Sequence, residues 1–222
     1  MLSNPVLRLF AGAILISFSP VFVRLVSVSP TTSAFYRVAI GGAALSAFLV
    51  VTRRRLQFSR TVWIALGSSA VFFALDLWFW HRSILYIGPG LSTLLANMQV
   101  FFMIAAGIVL LGQRPTPVQL LAAIMAVAGL AMIVGPDWSH PPPGYRLGVA
   151  LGVLTAASYA GYMLSMRSAR LRAAYPVPVR EIAVMSLLTA ALLGAAALAE
   201  GSSPSLPSLE DAGWLLAYGL MS

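Results

Sequence analysis

"GLSTLLANMQVFFMIAAGIVLLGQRPTPVQLLAAIMAVAGLAMIV", residues 90–134, is the stretch that decides the fold. It consists of two apolar runs joined by a short polar turn, and Arg114 in that turn is its one charged residue. Each run has roughly the 20 residues that a helix needs to cross about 30 Å of hydrocarbon. The stretch therefore predicts two membrane-spanning helices connected by a turn.

The remainder of the chain has the same apolar character. Of its 222 residues, 59% are hydrophobic and 9% are charged, and the mean hydropathy is +0.89. A soluble domain carries about 25% charged residues, so this sequence lacks the polar side chains that a water-facing surface needs. We predict an all-α fold, a polytopic helical membrane protein. The predicted spans are 6–27, 31–51, 62–87, 90–111, 117–134, 146–166 and 180–199, with an eighth that begins near 211.

Composition and spacing argue against metal and catalytic chemistry. The chain has no cysteine, which excludes disulfides and thiolate metal sites. His81 and His140 are the two histidines, too few for a multi-histidine metal site. An enzyme would need a clustered catalytic set, and Asp76 and His81 are wrongly spaced for one. We therefore expect no enzyme activity and no cofactor.

The basic residues are distributed unevenly among the predicted loops. All fourteen are arginine, which is typical of a GC-rich bacterial genome, and they raise the net charge to +8. One set of loops carries only acidic residues, with Arg146 at its edge. Ten arginines fall on the other side: Arg8, Arg53, Arg54, Arg55, Arg60, Arg114, Arg167, Arg170, Arg172 and Arg180. The positive-inside rule then predicts a bacterial inner-membrane protein with a cytoplasmic N-terminus, and no nucleic-acid partner.

A weak internal repeat suggests how the spans are organised. "LRLFAGAILISFSPVFVRL" from Leu7 resembles "YRLGVALGVLTAASYAGYM" from Tyr145. If the sixth helix repeats the first, the unit has five helices, and an odd unit inserts its two copies in opposite orientations. The predicted domains are a first repeat over 1–134, an external linker over 135–145 and an incomplete second repeat over 146–222.

Residues 86–136 resemble the end of the first repeat in the drug/metabolite transporter superfamily, EamA type. "DLWFWHRSILYIG" from Asp76 is similar to the third helix of one branch, and Arg37 in "AFYRVAIGGAAL" matches the family's second-helix arginine. Gln113 stands where the family's turn has glutamate. The resemblance implies a ten-helix inverted-repeat (5+5) plan, of which about seven and a half helices are present here. We therefore expect a C-terminally truncated chain.

Several polar side chains are predicted to share one level near the middle of the membrane. Helical rise places Asp76 near the midplane. Asn97, Gln99, Ser17 and Ser19 reach a similar depth. In transporters with inverted repeats the substrate binds at this level.

Asp76 and Arg37 have two interpretations each. A carboxylate at this depth is costly unless it is paired, hydrated or protonated. Asp76 is thus either a proton or substrate-ammonium site or half of a structural ion pair. Arg37 either pairs with Asp76 or binds an anionic group of the substrate.

His81 and Arg82 lie closer to the outer boundary. Offsets of five and six residues turn them away from Asp76, so any pairing must cross to another helix. His81 either shuttles protons or makes an ordinary hydrogen bond, and Arg82 is expected to extend to the outer surface.

The aromatic residues and helix 1 complete the candidates. Trp78, Trp80, Tyr159 and Tyr162 line a cavity or face lipid, and either placement is common in membrane proteins. Pro20 follows two serines and predicts a break in the first helix. The pair Gly41–Gly42 predicts close helix packing.

These features together predict a secondary transporter that works by alternating access. We expect export of small metabolites, amino-acid-like compounds or drugs, with coupling to protons through Asp76. The alternative is a truncated, non-transporting membrane subunit for interaction or assembly. The expected partners are the lipid bilayer, a small-molecule substrate and protons, and a homodimer stays open.

Overall fold

The computed structural model describes residues 5–53, 58–173, 178–202 and 208–221. Every regular element in these ranges is a helix, which confirms the all-α prediction. The helices are α1 (Pro5–Ser17), α2 (Ser19–Leu25), α3 (Pro30–Val51), α4 (Arg60–Ala96), α5 (Gln99–Leu111), α6 (Pro117–Val134), α7 (Tyr145–Arg172), α8 (Pro178–Ala199) and α9 (Leu209–Met221).

Five of the described stretches are long and apolar enough to cross a membrane, and they confirm the polytopic prediction. They are Pro30–Val51, Arg60–Leu111, Pro117–Val134, Tyr145–Arg172 and Val179–Ala199.

The stretch from Arg60 to Leu111 has 52 residues, which is long enough for two crossings of about 20 residues each. Gly88 interrupts its helical conformation with φ 78° and ψ 166°, a region that glycine occupies without steric cost. A Cβ placed on Gly152 of α7 would contact both Ser83 and Leu95. Since these residues lie on opposite sides of Gly88, the chain folds back at that residue. The break falls between the predicted third and fourth spans.

Two further breaks interrupt the predicted spans. The first helix ends at Ser17 and restarts at Ser19, so the break predicted from Pro20 is present. The second lies at 97–98, between α4 and α5, and the sequence analysis did not predict it. In addition, α7 continues six residues beyond the predicted 166, because an arginine-rich helix end can extend out of the hydrocarbon.

Small residues bring the principal helix pairs into close contact, with α4 packed on α7 and α3 on α8. A Cβ on Gly42 would lie 3.1 Å from Ser186 Cβ, and one on Gly41 would lie 2.9 Å from the Gly219 carbonyl oxygen. The close packing predicted for Gly41–Gly42 is therefore present. At the other pair, a Cβ on Gly152 would lie 2.7 Å from Leu95 Cδ1.

The buried core lies among α3, α4, α7, α8 and α9. One cluster surrounds Leu66 and Met185, a second surrounds Leu77 and Leu193, and a third surrounds Trp80 and Tyr218. Helix α6 lies outside this core, since none of its residues is buried.

The two ends of the bundle differ in charge. At one end α3 and α7 finish, α4 and α8 begin, and the Arg180 guanidinium lies 5.9 Å from the Phe58 ring centroid. Glu200 and Asp211 lie at the opposite end, hydrogen-bonded to residues near the start of α3. Of the ten arginines grouped above, Arg54, Arg55 and the side chain of Arg8 lie outside the described residues.

Candidate functional site

A cavity of about 380 Å³ lies where the breaks in the first and fourth predicted spans face α3 and α7. Ser17, Ser19 and Pro20 line it from the first break, and Asn97 and Gln99 line it from the second. Helix breaks place polar backbone and side chains at depth in a membrane protein, where such groups are tolerated around a cavity. Both breaks therefore help to form the site.

The structure brings seven of the nine predicted site residues to this one cavity. Asp76, Arg37, Asn97, Gln99, Ser17, Ser19 and Tyr159 are all in its lining. The other two, His81 and Tyr162, lie outside it.

Asp76 and Arg37 are the charged side chains in the described lining. Asp76 comes from α4 and is 5% exposed, whereas Arg37 comes from α3 and is part-buried. Trp80 follows Asp76 by one helical turn and borders the same space. The cavity therefore presents a carboxylate, a guanidinium and an aromatic ring to any bound molecule.

Two aromatic side chains, Tyr218 and Trp80, contact the Arg37 guanidinium. Its Nη1 donates a hydrogen bond to the Tyr218 hydroxyl at 3.3 Å. Its guanidinium carbon lies 5.2 Å from the Tyr218 ring centroid and 5.6 Å from that of Trp80. These distances are within the range of cation–π attraction. The cationic group is thus stabilised while it remains at the cavity wall.

Two buried hydroxyls in the lining have no hydrogen-bond partner among the described residues. They are Ser19 Oγ and Thr93 Oγ1. A buried unpaired hydroxyl costs about 1–3 kcal/mol, so such groups are uncommon unless a ligand or water completes them. By contrast, Ser17 Oγ donates to the Ile14 carbonyl at 2.7 Å, and Asn97 Nδ2 donates to the Thr93 carbonyl at 3.1 Å.

Thr93, Phe73 and Thr155 also line the cavity, and the sequence analysis did not single them out. Thr93 precedes Asn97 by four residues, Phe73 precedes Asp76 by three and Thr155 precedes Tyr159 by four, which places each pair on one helix face. Helical spacing from the residues already chosen could therefore have found all three.

The two predicted residues outside the lining differ in burial: His81 is buried and Tyr162 is half-buried. His81 is fully buried and lies within hydrogen-bonding distance of Leu77 and Tyr218. Tyr162 packs with Phe73 and Tyr159, with ring centroids 4.8 and 5.3 Å apart. His81 thus contacts Tyr218, the hydrogen-bond partner of Arg37, and Tyr162 contacts the lining residues Phe73 and Tyr159.

Arg82 forms an ion pair instead of extending freely to the surface. Its Nη2 lies 2.7 Å from Glu200 Oε1, and its guanidinium carbon lies 3.7 Å from the Trp78 ring centroid. Thr31 Oγ1 and Trp78 Nε1 also donate to Glu200, at 2.7 and 2.8 Å. We call Thr31, Trp78, Arg82 and Glu200 the outer polar network, because the arginine asymmetry of the sequence predicts that this end faces outward.

The outer polar network sets the acidity of Glu200, which lies just beyond the end of α8. Partial burial alone would raise the pKa of this carboxyl. The hydrogen bonds from Trp78 and Thr31 and the nearby charge of Arg82 outweigh that effect, so the pKa is lowered from its ordinary value. The network is thus most stable with Glu200 ionised.

Arg24 is exposed and donates to the Ile84 carbonyl at 3.1 Å. Among the described residues, no group of three or more His, Asp or Glu side chains is arranged to hold a metal ion.

Residues 4–135 match the family described as "EamA-like transporter family". The chain belongs to the EamA-like transporter family. The resemblance noted in the sequence is thereby confirmed, and the family places this multi-pass protein among the membrane transporters of the drug/metabolite transporter superfamily.

The fold of this chain also occurs among solved structures. One crystal structure of a protein matches with a TM-score of 0.65 and 21% sequence identity, covering 95% of this chain and 74% of that chain. At that identity the likeness shows a common fold alone. No curated protein matches the sequence.

Proposed function

We propose that this EamA-like protein is a secondary transporter that exports a small zwitterionic, amino-acid-like metabolite through the cavity between α3, α4 and α7. The observation that supports this proposal is the pair of opposite charges, Arg37 and Asp76, in the lining of one cavity. Its volume of about 380 Å³ falls within the usual range for small-molecule sites.

Each part of such a substrate has a complementary group in the lining. The Arg37 guanidinium can bind a carboxylate through two parallel hydrogen bonds. Asp76 can bind an ammonium group. An apolar or aromatic substituent would pack against Trp80 and Tyr159, and the free hydroxyls of Ser19 and Thr93 can complete the polar contacts.

Asp76 also provides a physical basis for coupling to protons. A carboxylate in a low-dielectric cavity must be neutralised, and either a proton or a substrate ammonium group can do so. The two ligands therefore compete for one site. Inward release of a proton and outward release of the substrate would then alternate on the same carboxylate.

Alternating access requires two half-molecules that move against each other. We propose that 1–134 and 146–222 belong to two inverted five-helix repeats in a bacterial inner membrane, with the N-terminus cytoplasmic. The arginine asymmetry supports this orientation. The outer polar network joins the two repeats at the outer end, and opening on that side requires its contacts to separate.

The test measures two quantities in proteoliposomes: counterflow of tritiated L-phenylalanine, and net transport of the same probe with and without a pH gradient. Wild-type protein should exchange the probe in counterflow, and the gradient should accelerate net transport. Asp76→Asn should abolish that acceleration, whereas Asp137→Asn, in the exposed loop between α6 and α7, should retain it. An unaltered response of Asp76→Asn to the gradient would contradict the coupling role.

A further inference from the structure

A chain of hydrogen bonds connects Arg37 with the backbone of α4 through two buried side chains. Arg37 Nη1 lies 3.3 Å from the Tyr218 hydroxyl. That hydroxyl lies 3.2 Å from His81 Nε2, and His81 Nδ1 lies 2.8 Å from the Leu77 carbonyl oxygen. This hydrogen-bond chain runs from α3 through α9 to α4, so it joins three helices.

The Leu77 carbonyl, which can only accept, and the Arg37 guanidinium, which can only donate, determine which atom carries each hydrogen in this hydrogen-bond chain. A carbonyl oxygen can only accept, so His81 Nδ1 carries a hydrogen and donates it to Leu77. In the neutral imidazole the other nitrogen, Nε2, is then an acceptor, and the Tyr218 hydroxyl must donate to it. The phenol oxygen retains its lone pairs and accepts from Arg37.

We propose that Tyr218 and His81 are positioning residues that fix the Arg37 guanidinium for binding a substrate carboxylate. Both side chains have 0% exposure, whereas Arg37 reaches the cavity lining. The inference rests on the proposed transport function for its consequence, but the hydrogen-bond chain can be tested without transport.

Positioning is distinct from packing in this arrangement. The Tyr218 ring packs against Phe22 at 5.7 Å between centroids, and Phe would preserve that contact. The hydroxyl makes the hydrogen bonds to His81 and Arg37, whereas Phe would also keep the ring contact with the guanidinium. An arginine side chain that has lost this hydrogen bond loses more conformational freedom when it binds a carboxylate, so affinity for the carboxylate should fall when the hydroxyl is removed.

The first measurement is the ¹⁵N NMR spectrum of histidine-labelled protein carrying His140→Ala, which leaves His81 as the one labelled ring. The expected result is a hydrogen on Nδ1 and an Nε2 resonance that shifts when Tyr218→Phe is added. A hydrogen on Nε2 alone, or an Nε2 resonance indifferent to Tyr218→Phe, would overturn the proposed chain.

The second measurement uses L-phenylalanine transport and its inhibition by phenethylamine, which lacks the carboxylate. Tyr218→Phe should raise KM for L-phenylalanine about tenfold, as expected for loss of a hydrogen bond to a charged group, with little change in kcat. Inhibition by phenethylamine should change less than about twofold. His81→Leu should behave in the same way, because it removes the acceptor of the Tyr218 hydroxyl.

Two further variants separate positioning from general damage. His81→Gln retains an acceptor near the Nε2 position and should restore most of the affinity lost in His81→Leu. Tyr36→Phe removes a hydroxyl from the residue next to Arg37 and should leave KM unchanged. Equal weakening of phenylalanine and phenethylamine in Tyr218→Phe, or no weakening of either, would overturn the positioning role. If wild-type protein transports no phenylalanine, the proposed substrate class fails. The NMR result alone then decides whether the hydrogen-bond chain exists.

Discussion

Replacing Glu200 with glutamine should favour opening of the transporter at the end that we propose to face outward. Glu200 accepts hydrogen bonds from Arg82, Thr31 and Trp78. Glutamine keeps an oxygen that can still accept from Thr31 or Trp78, but it removes the negative charge opposite Arg82. The substitution therefore weakens the contact that joins the two proposed repeats without creating a cavity.

The magnitude follows from the partial burial of the pair. The side chains of Arg82 and Glu200 are 20% and 30% exposed. Exposed ion pairs contribute about 0.2–1 kcal/mol, and hydrogen bonds to charged groups contribute about 1.5–3 kcal/mol. Solvent screening places this pair between the two ranges, at about 1 kcal/mol, which corresponds to about a fivefold change in the population open at the outer end.

The absence of cysteine from the sequence makes a direct assay possible. Thr93→Cys introduces a single thiol into the cavity, and a membrane-impermeant thiol reagent is applied from the outer side. Its labelling rate should rise about fivefold when Glu200→Gln is added. Glu210→Gln, in the first turn of α9, is the matched control and should not change the rate.

A double-mutant cycle assigns the effect to the Arg82–Glu200 pair. Arg82→Gln should raise labelling by a similar factor, and the double variant should not exceed either single variant by much. An unchanged rate in Glu200→Gln, a similar rise in Glu210→Gln, or fully additive single variants would refute the reasoning.

The same pair predicts the direction of pH dependence at the outer end. With its contacts to Trp78, Thr31 and Arg82 formed, the pKa of Glu200 is lowered from its ordinary value of 4.5. A carboxyl with a lowered pKa contributes stability above its ordinary pKa and loses it as pH falls through the lowered value. The labelling rate of Thr93→Cys at each pH is therefore divided by the rate of the same variant carrying Glu200→Gln, which cancels the change in thiolate fraction with pH. This ratio should stay constant between about pH 6 and 8 and should rise toward one below about pH 4.5. A ratio that changes only at alkaline pH would contradict this sign.

Two other substitutions test packing and binding. Gly152→Ala places a Cβ 2.7 Å from Leu95, and it should destabilise the fold by about 1–3 kcal/mol in a denaturation measurement, whereas Gly67→Ala, with no neighbour within 4 Å, should not. Thr93→Val replaces the free cavity hydroxyl with a methyl group of similar size and should raise KM for L-phenylalanine about three- to tenfold if the hydroxyl contacts the substrate; an unchanged KM would remove Thr93 from the site.

Hydropathy and local signals were sufficient to predict most helix boundaries. Helix α6 begins at Pro117 and ends at Val134, as predicted, because Thr116 caps its start and the apolar run ends at Gly135. The break at 97–98 was missed because neither Asn97 nor Met98 is a residue that interrupts helices by its own geometry. That break depends on tertiary packing, which a single helical pattern does not reveal.

Helical rise assigned Asp76, Asn97, Gln99, Ser17 and Ser19 to one level, and the structure places these five residues in the lining of one cavity. The partners of His81 could not be predicted in the same way. Tyr218 is 137 residues away in sequence, and helical spacing relates residues only within one element. Glu200 lies in a loop beyond the end of α8, as predicted, and its ion pair with Arg82 likewise joins residues that are 118 apart in sequence.

The most direct test of the account asks whether Arg37 and Asp76 recognise opposite ends of one ligand. Binding of tritiated L-phenylalanine is measured in competition with phenylacetate, which lacks the ammonium group, and with phenethylamine, which lacks the carboxylate. Arg37→Gln should abolish competition by phenylacetate and preserve competition by phenethylamine, and Asp76→Asn should have the opposite effect. If both variants lose both competitors equally, or if neither variant changes either competitor, the cavity does not bind substrate in the proposed way.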